Sequence, residues 1–331
     1  MRIVVTGASG RVGSTVAAQL VERRHQVIGL DRVAPAEPIP GVEHIVSDLT
    51  ELTPHDPRLA DADAVAHLGA FMSWKDADAE AVHEANVTGT VALVRALTGS
   101  SVRRFVLAST GEVYPENAPQ YQPVDEQHPR LPRTWYGLSK VLAEETVAFA
   151  GRTLDWDTVV LRFSHTQHPA ELLDPASFFS GPRFFAKARF AKEDAAGNAS
   201  VADQLRGFAD DDADTVIVAQ RADGTPTTMG IMAAPDLARG VVLALEGDTS
   251  GHEVIGLGPD SSTDLGSFAA RLAEAAGLPT TPLTLPDTAP SYTTSNARAR
   301  ELLGFRPEYD EERMIEAAVA ARRERLAASR G

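Results

Sequence analysis

The chain has 331 residues, 43% apolar and 23% charged, enough for a sizeable core in one large or two modest domains. It has no cysteine, which excludes disulfides, thiolate nucleophiles and cysteine-ligated metals and agrees with a reducing compartment. A formal charge of −15 with scattered Lys and Arg argues against nucleic acid and anionic membranes as partners. No run reaches the roughly 18 apolar residues of a membrane span, and Met1-Arg2 leads straight into a strand-like stretch without a signal-peptide pattern. A cytoplasmic protein is expected.

Apolar β-branched runs alternate with helical stretches through the first half. Ile3-Val4-Val5 precedes a helix over 14–24, and Val27-Ile28-Gly29-Leu30 and Ala64-Val65-Ala66-His67-Leu68 read as strands buried on both faces. A helix over 79–97, the strand Phe105-Val106-Leu107-Ala108, a helix over 136–150 and the strand Thr158-Val159-Val160-Leu161 continue the beat of parallel βα units. This predicts an α/β fold, a doubly wound parallel Rossmann sheet over 1–164, with a smaller C-terminal substrate-binding region over 165–331. Part of that region, about 227–258, is expected to return to the sheet. From His165 the rhythm breaks at Pro169, Pro175 and Pro182, so substrate specificity is expected there. Helices are predicted over 235–245, 264–276, 296–303 and 310–329. The acidic run Asp210-Asp211-Asp212 and Asp214 reads more readily as a solvated loop than as a lure for a cationic substrate.

Thr6-Gly7-Ala8-Ser9-Gly10-Arg11-Val12-Gly13 follows the first strand and opens the first helix, the context in which a glycine pattern binds a dinucleotide. Gly7 permits the turn, Gly10 lets the backbone approach a pyrophosphate, and Gly13 lets helix pack on strand, while the helix N-terminus offers N–H groups to the anion. Ser9, Arg11 and Val12 belong to the same loop. Asp31 ends the second strand, where a carboxylate accepts from ribose hydroxyls and repels a 2′-phosphate, so NAD is expected over NADP, with Arg32 partly offsetting the repulsion. Asp48 and Leu49 are placed to meet adenine, although an aspartate there equally caps a turn.

Tyr136-Gly137-Leu138-Ser139-Lys140 puts Tyr and Lys on one helix face, one turn apart. An ammonium beside a phenol is expected to lower its pKa from about 10 and make it a usable base, while the lysine also holds the nicotinamide ribose. Alone the spacing is common; its position in the fold gives it weight. Thr110 ends the strand at the carboxyl edge, where ligands of such sheets bind, and is the candidate to hold the reacting oxygen, although a Ser-Thr pair at a strand end also forms turns.

Together these residues resemble the extended short-chain dehydrogenase/reductase family, the NAD-dependent epimerase/dehydratase group. The likeness covers Thr6 to Gly13, Asp31, Asp48-Leu49, His67-Leu68-Gly69-Ala70, Asn86 to Thr90, Ser109 to Tyr114, Tyr136 to Lys140 and Leu161-Arg162-Phe163, and more weakly Asp236-Leu237-Ala238 and residues 295–305. It implies Thr110, Tyr136 and Lys140 as catalytic residues, and Leu68, Gly69, Ala70 and Asn86 on the cofactor side. Ser73, Glu112 and His165 are implied substrate contacts, and a homodimer through helices near 79–97 and 136–150 is implied.

The departures narrow the substrate. Gly111 stands where sugar-nucleotide dehydratases of similar type carry their acid, and His165 stands at the position of an asparagine. Two diphosphate-binding arginines are replaced near Thr228-Met229 and near Leu285, although Arg183, Lys187, Arg189 or Arg206 are possible substitutes. No metal is expected, since His165 and His168 have no carboxylate at ligand spacing. The aromatic stretch Phe178-Phe179, Phe184-Phe185 and Phe190 reads as a substrate lid or dimer face. The expected activity is hydride transfer between NAD and a secondary alcohol or lactol of a sugar-like, non-nucleotide substrate, either neutral or cationic. The alternatives are an epimerase with tightly held NAD and a non-catalytic NAD-binding regulator.

Overall fold

The structure, a computed structural model, describes residues 1–115 and 118–328. The apolar runs form the strands β1 (Arg2–Thr6), β2 (Gln26–Asp31), β3 (Val42–Val46), β4 (Ala64–His67), β5 (Arg104–Thr110) and β6 (Asp157–Phe163). They alternate with helices α1 (Arg11–Glu22), α2 (Ala79–His83), α3 (Gly89–Leu97) and α4 (Trp135–Leu154). The chain falls into two compact units, and the first takes Met1–Ser164, Ala234–Gly258 and Ser295–Arg306.

After β6 the chain enters the second unit with β7 (His165–Gln167), α5 (Pro169–Leu172), α6 (Ser180–Phe184), α7 (Ala186–Ala195), α8 (Ala199–Leu205), β8 (Val216–Arg221), β9 (Thr228–Met229) and β10 (Ile231–Ala233). It returns to the first unit with α9 (Ala234–Glu246) and β11 (His252–Leu257). The second unit resumes with β12 (Thr263–Asp264), α10 (Leu265–Ala276) and β13 (Thr280–Leu285). Then α11 (Ala297–Leu303) belongs to the first unit and α12 (Glu311–Ala328) to the second. The returning segment thus starts at Ala234 rather than near 227, and 295–306 joins it. The expected end of the last helix, Ser329, lies outside the described residues.

In the first unit seven parallel strands run in the order β11-β6-β5-β4-β1-β2-β3. The order reverses between β1 and β4, so the carboxyl ends of these neighbours, with β5 beyond, form the crevice where ligands of doubly wound sheets bind. Val4, Ile28, Val65, Phe105 and Val160 from the strands pack with Leu93, Leu97, Val147 and Trp156 on one side of the sheet. Among the described residues the second unit has three two-stranded pairs, β7 with β10, β9 with β12 and β8 with β13. Its core gathers Phe184, Phe185, Phe268, Ile231, Tyr292 and Met314. Among the described residues no helix is long and apolar enough to cross a membrane.

Two expectations are corrected. The helix over 79–97 is interrupted by a π-helical stretch at Glu84–Thr88, where Thr90 Oγ1 donates to the Asn86 carbonyl one turn back. Phe184 and Phe185 are core residues at 1% exposure, whereas Phe178 is 66% exposed, so the aromatic stretch is not one continuous lid or dimer face.

Candidate active site

β1 ends in Thr6 and the chain turns at Gly7, with φ +68°, into α1. A Cβ on Gly13 would lie 2.0 Å from the Gly7 carbonyl oxygen, so only glycine lets helix and loop approach this closely. Gly10 is the N-cap of α1 and offers no side-chain cap, so the first turn's N–H groups are left to bind something other than a capping side chain. Asp31 sits at the end of β2, where Oδ2 accepts from Ser9 N–H at 2.9 Å and Oδ1 from Val33 N–H at 3.2 Å. The carboxylate is therefore fixed against the glycine loop. Arg32 lies over the Phe71 ring, its guanidinium carbon 5.8 Å from the ring centre. Asp48 caps the short turn after it, accepting from Thr50 N–H at 2.9 Å and Thr50 Oγ1–H at 2.8 Å, and Leu49 packs against Gly89.

A buried relay crosses the carboxyl ends of β1 and β4. Thr6 Oγ1 accepts from Leu68 N–H and Gly69 N–H at 3.1 and 3.0 Å and donates to His67 Nδ1 at 2.7 Å. His67 Nε2 then donates to Thr90 Oγ1 at 2.9 Å, which donates to the Asn86 carbonyl. Thr6 and Thr90 spend their protons in opposite directions, which fixes the imidazole tautomer. Burial, then the Lys140 charge, lowers the His67 pKa to about 3, so the ring is neutral. The Asn86 side chain accepts from Phe71 N–H at 2.7 Å and donates to Phe71 O and Ser139 Oγ at 2.9 Å each. The π-helical stretch thus serves to aim Asn86 at the segment after β4 and at α4.

Thr134 caps α4 by accepting from Gly137 N–H at 2.9 Å and itself donates to Glu112 Oε2 at 2.8 Å. A Cβ on Gly137 would sit 2.4 Å from the Glu112 carbonyl oxygen, so glycine lets the helix start close on the turn after β5. Glu112 Oε1 accepts from Trp74 Nε1–H at 2.6 Å, so both of its carboxylate oxygens are engaged. Ser73 Oγ donates to Asp78 at 2.5 Å. Thr110 Oγ1 accepts from Glu112 N–H at 3.2 Å, as the turn reading foresaw, and among the described residues no acceptor takes its own proton.

Tyr136 and Lys140 are both buried on one face of α4, with Lys140 Nζ 5.9 Å from the Tyr136 ring centre. Lys140 Nζ donates to Ala108 O at 2.8 Å, and burial lowers its pKa to about 8 against the opposing pull of Glu144. The phenol departs from expectation. Burial first and the Glu112 charge second push Tyr136 above the ordinary tyrosine range, so in this geometry it keeps its proton. Desolvation is the leading cause, and the ammonium lies 5.9 Å from the ring centre.

A model of the NAD dependent epimerase/dehydratase family matches residues 3–258. The chain belongs to this family. A short-chain dehydrogenase/reductase superfamily protein from Agrobacterium tumefaciens, solved with bound NAD, is 41% identical with a TM-score of 0.91, over 100% of this chain and 99% of that one. A UDP-glucose 4-epimerase of Mycolicibacterium smegmatis is 28% identical over 93% of this chain and 94% of its own. A putative UDP-glucose 4-epimerase of Methanocaldococcus jannaschii is 31% identical over 49% of this chain. The chain spans about half the length of the curated relatives it matches first.

Several interactions of this family member were not legible in its sequence. The relay through His67 had one visible signal, a polar residue closing an apolar strand. Thr134 was legible as a threonine just ahead of a helix. The buried pair Glu144–Arg162 was not, although Glu144 accepts from Ser109 Oγ, Arg162 Nε and Arg162 Nη2 at 2.6, 3.0 and 2.8 Å. In the second unit, His165 opens β7 with its ring 6.4 Å from that of Tyr292. His168 is an N-cap, accepting from Ala170 N–H at 3.2 Å. Thr228 and Met229 form β9, with Thr228 Oγ1 2.9 Å from Ser291 Oγ.

Proposed function

We propose that this chain is an NAD-dependent oxidoreductase that moves a hydride between the nicotinamide and a secondary alcohol or lactol carbon of a sugar-like substrate not carried on a nucleotide. The observation that carries this reading is the buried Tyr136–Lys140 face of α4, held beside the carboxyl end of β5 by the Lys140 bond to Ala108. The glycine loop fits a dinucleotide, since a Gly13 side chain would fill the cradle and α1 starts without a side-chain cap. Asp31 stands where an adenosine ribose needs an acceptor and a 2′-phosphate would be repelled, which supports NAD over NADP. When bound, NAD supplies the acceptor or donor of the hydride. Tyr136 exchanges a proton with the substrate oxygen, Thr110 donates a hydrogen bond to the same oxygen, and Lys140 stabilises the phenolate as it forms. Asn86, braced by Phe71 and Ser139, holds the segment that follows β4.

The absence of arginine at Thr228-Met229 and at Leu285 supports a substrate without a nucleotide diphosphate. The relatives' activities favour one rival, an epimerase that returns the hydride and keeps its NAD. Turnover with limiting NAD separates them. Net oxidation accumulates NADH in proportion to product, while an epimerase inverts many substrate molecules per NAD and accumulates none. Stereochemical inversion without NADH sinks the dehydrogenase reading.

We further propose a homodimer through α3 and α4, which expose Val91, Leu138, Leu142 and Phe149 as an apolar face. Light scattering is expected to give twice the chain mass, and a monomer at all concentrations contradicts it.

A further inference from the structure

The second unit carries a cationic cluster that the catalytic reading does not use. α6 and α7 meet at Phe185, whose N–H donates to Gly181 O at 2.9 Å. Arg183 stands at the end of α6, with Arg189 in the first turn of α7 and Lys192 in its last. Arg189 is accounted for: Nη1 donates to Pro182 O at 3.5 Å and Nε pairs with Glu193 at 2.7 Å.

Arg183 is different. Its Nη1 is shut off from solvent, and among the described residues no acceptor meets it. The charges that act on it come from Tyr292 and Arg189, with no carboxylate among them, and burial above all pushes the guanidinium below its usual range. Lys192 is also pushed down, first by burial and then by Arg189, while Glu193 opposes. His165 is lowered to about 3 by burial and by Arg183, so it is a neutral ring.

Buried charges in proteins are paired, because desolvation of a lone ion is costly. A guanidinium that has lost water at one nitrogen and has another guanidinium for company lacks an anion. Its planar fork matches a carboxylate or a phosphate group. We propose that Arg183, with Arg189, Lys192, His165 and Tyr292 about it, is an anion site within the second unit that takes the carboxylate or phosphate group of a sugar-like ligand. The sugar-like character of the ligand rests on the oxidoreductase reading; the anion site does not.

This reverses the expectation of a neutral or cationic ligand. Two members of the acidic run that hinted at a cation, Asp211 and Asp214, are engaged in the fold. Asp214 pairs with Arg322 at 2.6 Å, and Asp211 accepts from Ala213 N–H and Thr215 N–H at 3.1 and 2.8 Å.

The test is calorimetric titration of the NAD-loaded protein with D-galacturonate, D-glucuronate, D-glucose 6-phosphate and inorganic phosphate, against D-galactose, D-glucose and D-galactosamine. NADH formation is recorded in parallel. At least one anion is expected to bind roughly 10- to 100-fold more tightly than its neutral parent, and which anion does so distinguishes carboxylate from phosphate. Arg183→Met is expected to remove that preference while leaving thermal stability unchanged or raised, and Arg183→Lys to keep part of it. Equal binding of neutral sugars, failure of all four anions, anion affinity indifferent to Arg183→Met, or unfolding of that variant would each overturn the anion site. Arg183-dependent anion binding without NADH or epimer formation upholds the anion site and sinks the hydride-transfer reading. NADH from a neutral sugar alone does the opposite.

Discussion

The interior around β4, β5 and α4 and the α6–α7 corner of the second unit treat buried polar groups in opposite ways. In the first, His67, Asn86, Ser139, Lys140 and Glu144 each have partners within the protein. In the second, Arg183 Nη1 is shut off from solvent and meets no acceptor among the described residues. A satisfied network fixes geometry before any ligand arrives, as chemistry requires. An unsatisfied cation stores a desolvation cost that a ligand relieves, as recognition requires. Truncation should therefore cost stability or turnover in the first region and affinity alone in the second.

The largest effect is expected at the proton-transfer pair. Tyr136→Phe keeps the ring and its packing and removes only the hydroxyl, so turnover should fall by about 10³-fold while NAD affinity is retained. Normal turnover in this variant would break the comparison at its centre. Lys140→Met should cost about 10²-fold, and it should erase a pH dependence that the native enzyme shows. Burial sets the Lys140 pKa at about 8, so the ammonium, and the activity it supports, are present below that pH and decline above it. A native rate profile flat through pH 8 contradicts this role.

Next comes the buried pair. Glu144 and Arg162 have side chains 3% and 5% exposed, so Glu144→Gln strands a guanidinium and should cost about 3–5 kcal/mol in denaturant unfolding. Burial alone would raise the Glu144 pKa. The Arg162 hydrogen bonds and charge, with Ser109 and Arg130, hold it below its usual value of 4.5. A depressed carboxyl stabilises the fold above its unfolded pKa and loses that contribution as pH falls through the folded one. The stability difference between native and Glu144→Gln should therefore shrink on acidification below about pH 4.5 and stay constant between pH 6 and 8. His67→Phe should cost less, about 2 kcal/mol, because two neutral hydroxyls lose a partner rather than one charge. Unchanged stability in both variants would remove the distinction between the two regions.

What the sequence made legible follows from the range of the interactions involved. The parallel strands, the glycine loop and the Tyr136–Lys140 face are local patterns, readable from period and spacing. The break at Glu84–Thr88 contains Asn86, whose side chain bonds Phe71, 15 residues away, and Ser139, 53 away. Helical periodicity in 79–97 carries no trace of either. The raised phenol pKa escaped for a related reason: spacing places Lys140 beside Tyr136 but says nothing of how fully both are buried. The same holds for Arg183, one of four basic residues named as substitutes for the missing arginines. Only folding separated the unsatisfied Arg183 from Arg189 with its glutamate, and from the exposed Lys187 and Arg206, which reach Asp212 and Asp203.

The smallest effect tests how much of the cofactor side is fixed in advance. Asp31 accepts from Ser9 N–H and Val33 N–H, so its carboxylate belongs to the pre-paired region even though its proposed partner is a ribose. Asp31→Ser keeps a short polar side chain and removes the charge. If repulsion of a 2′-phosphate is the main discriminator, the ratio of NAD to NADP affinity should fall by about tenfold, mostly through tighter NADP binding, with Arg32 nearby to meet the phosphate. If the carboxylate's main work is to hold the glycine loop, both cofactors should weaken together and their ratio should not move. Titrating both cofactors into both proteins decides between the two. A shared loss places Asp31 with His67 and Glu144 as scaffold, whereas a selective gain places it with Arg183, as a charge that waits for its ligand.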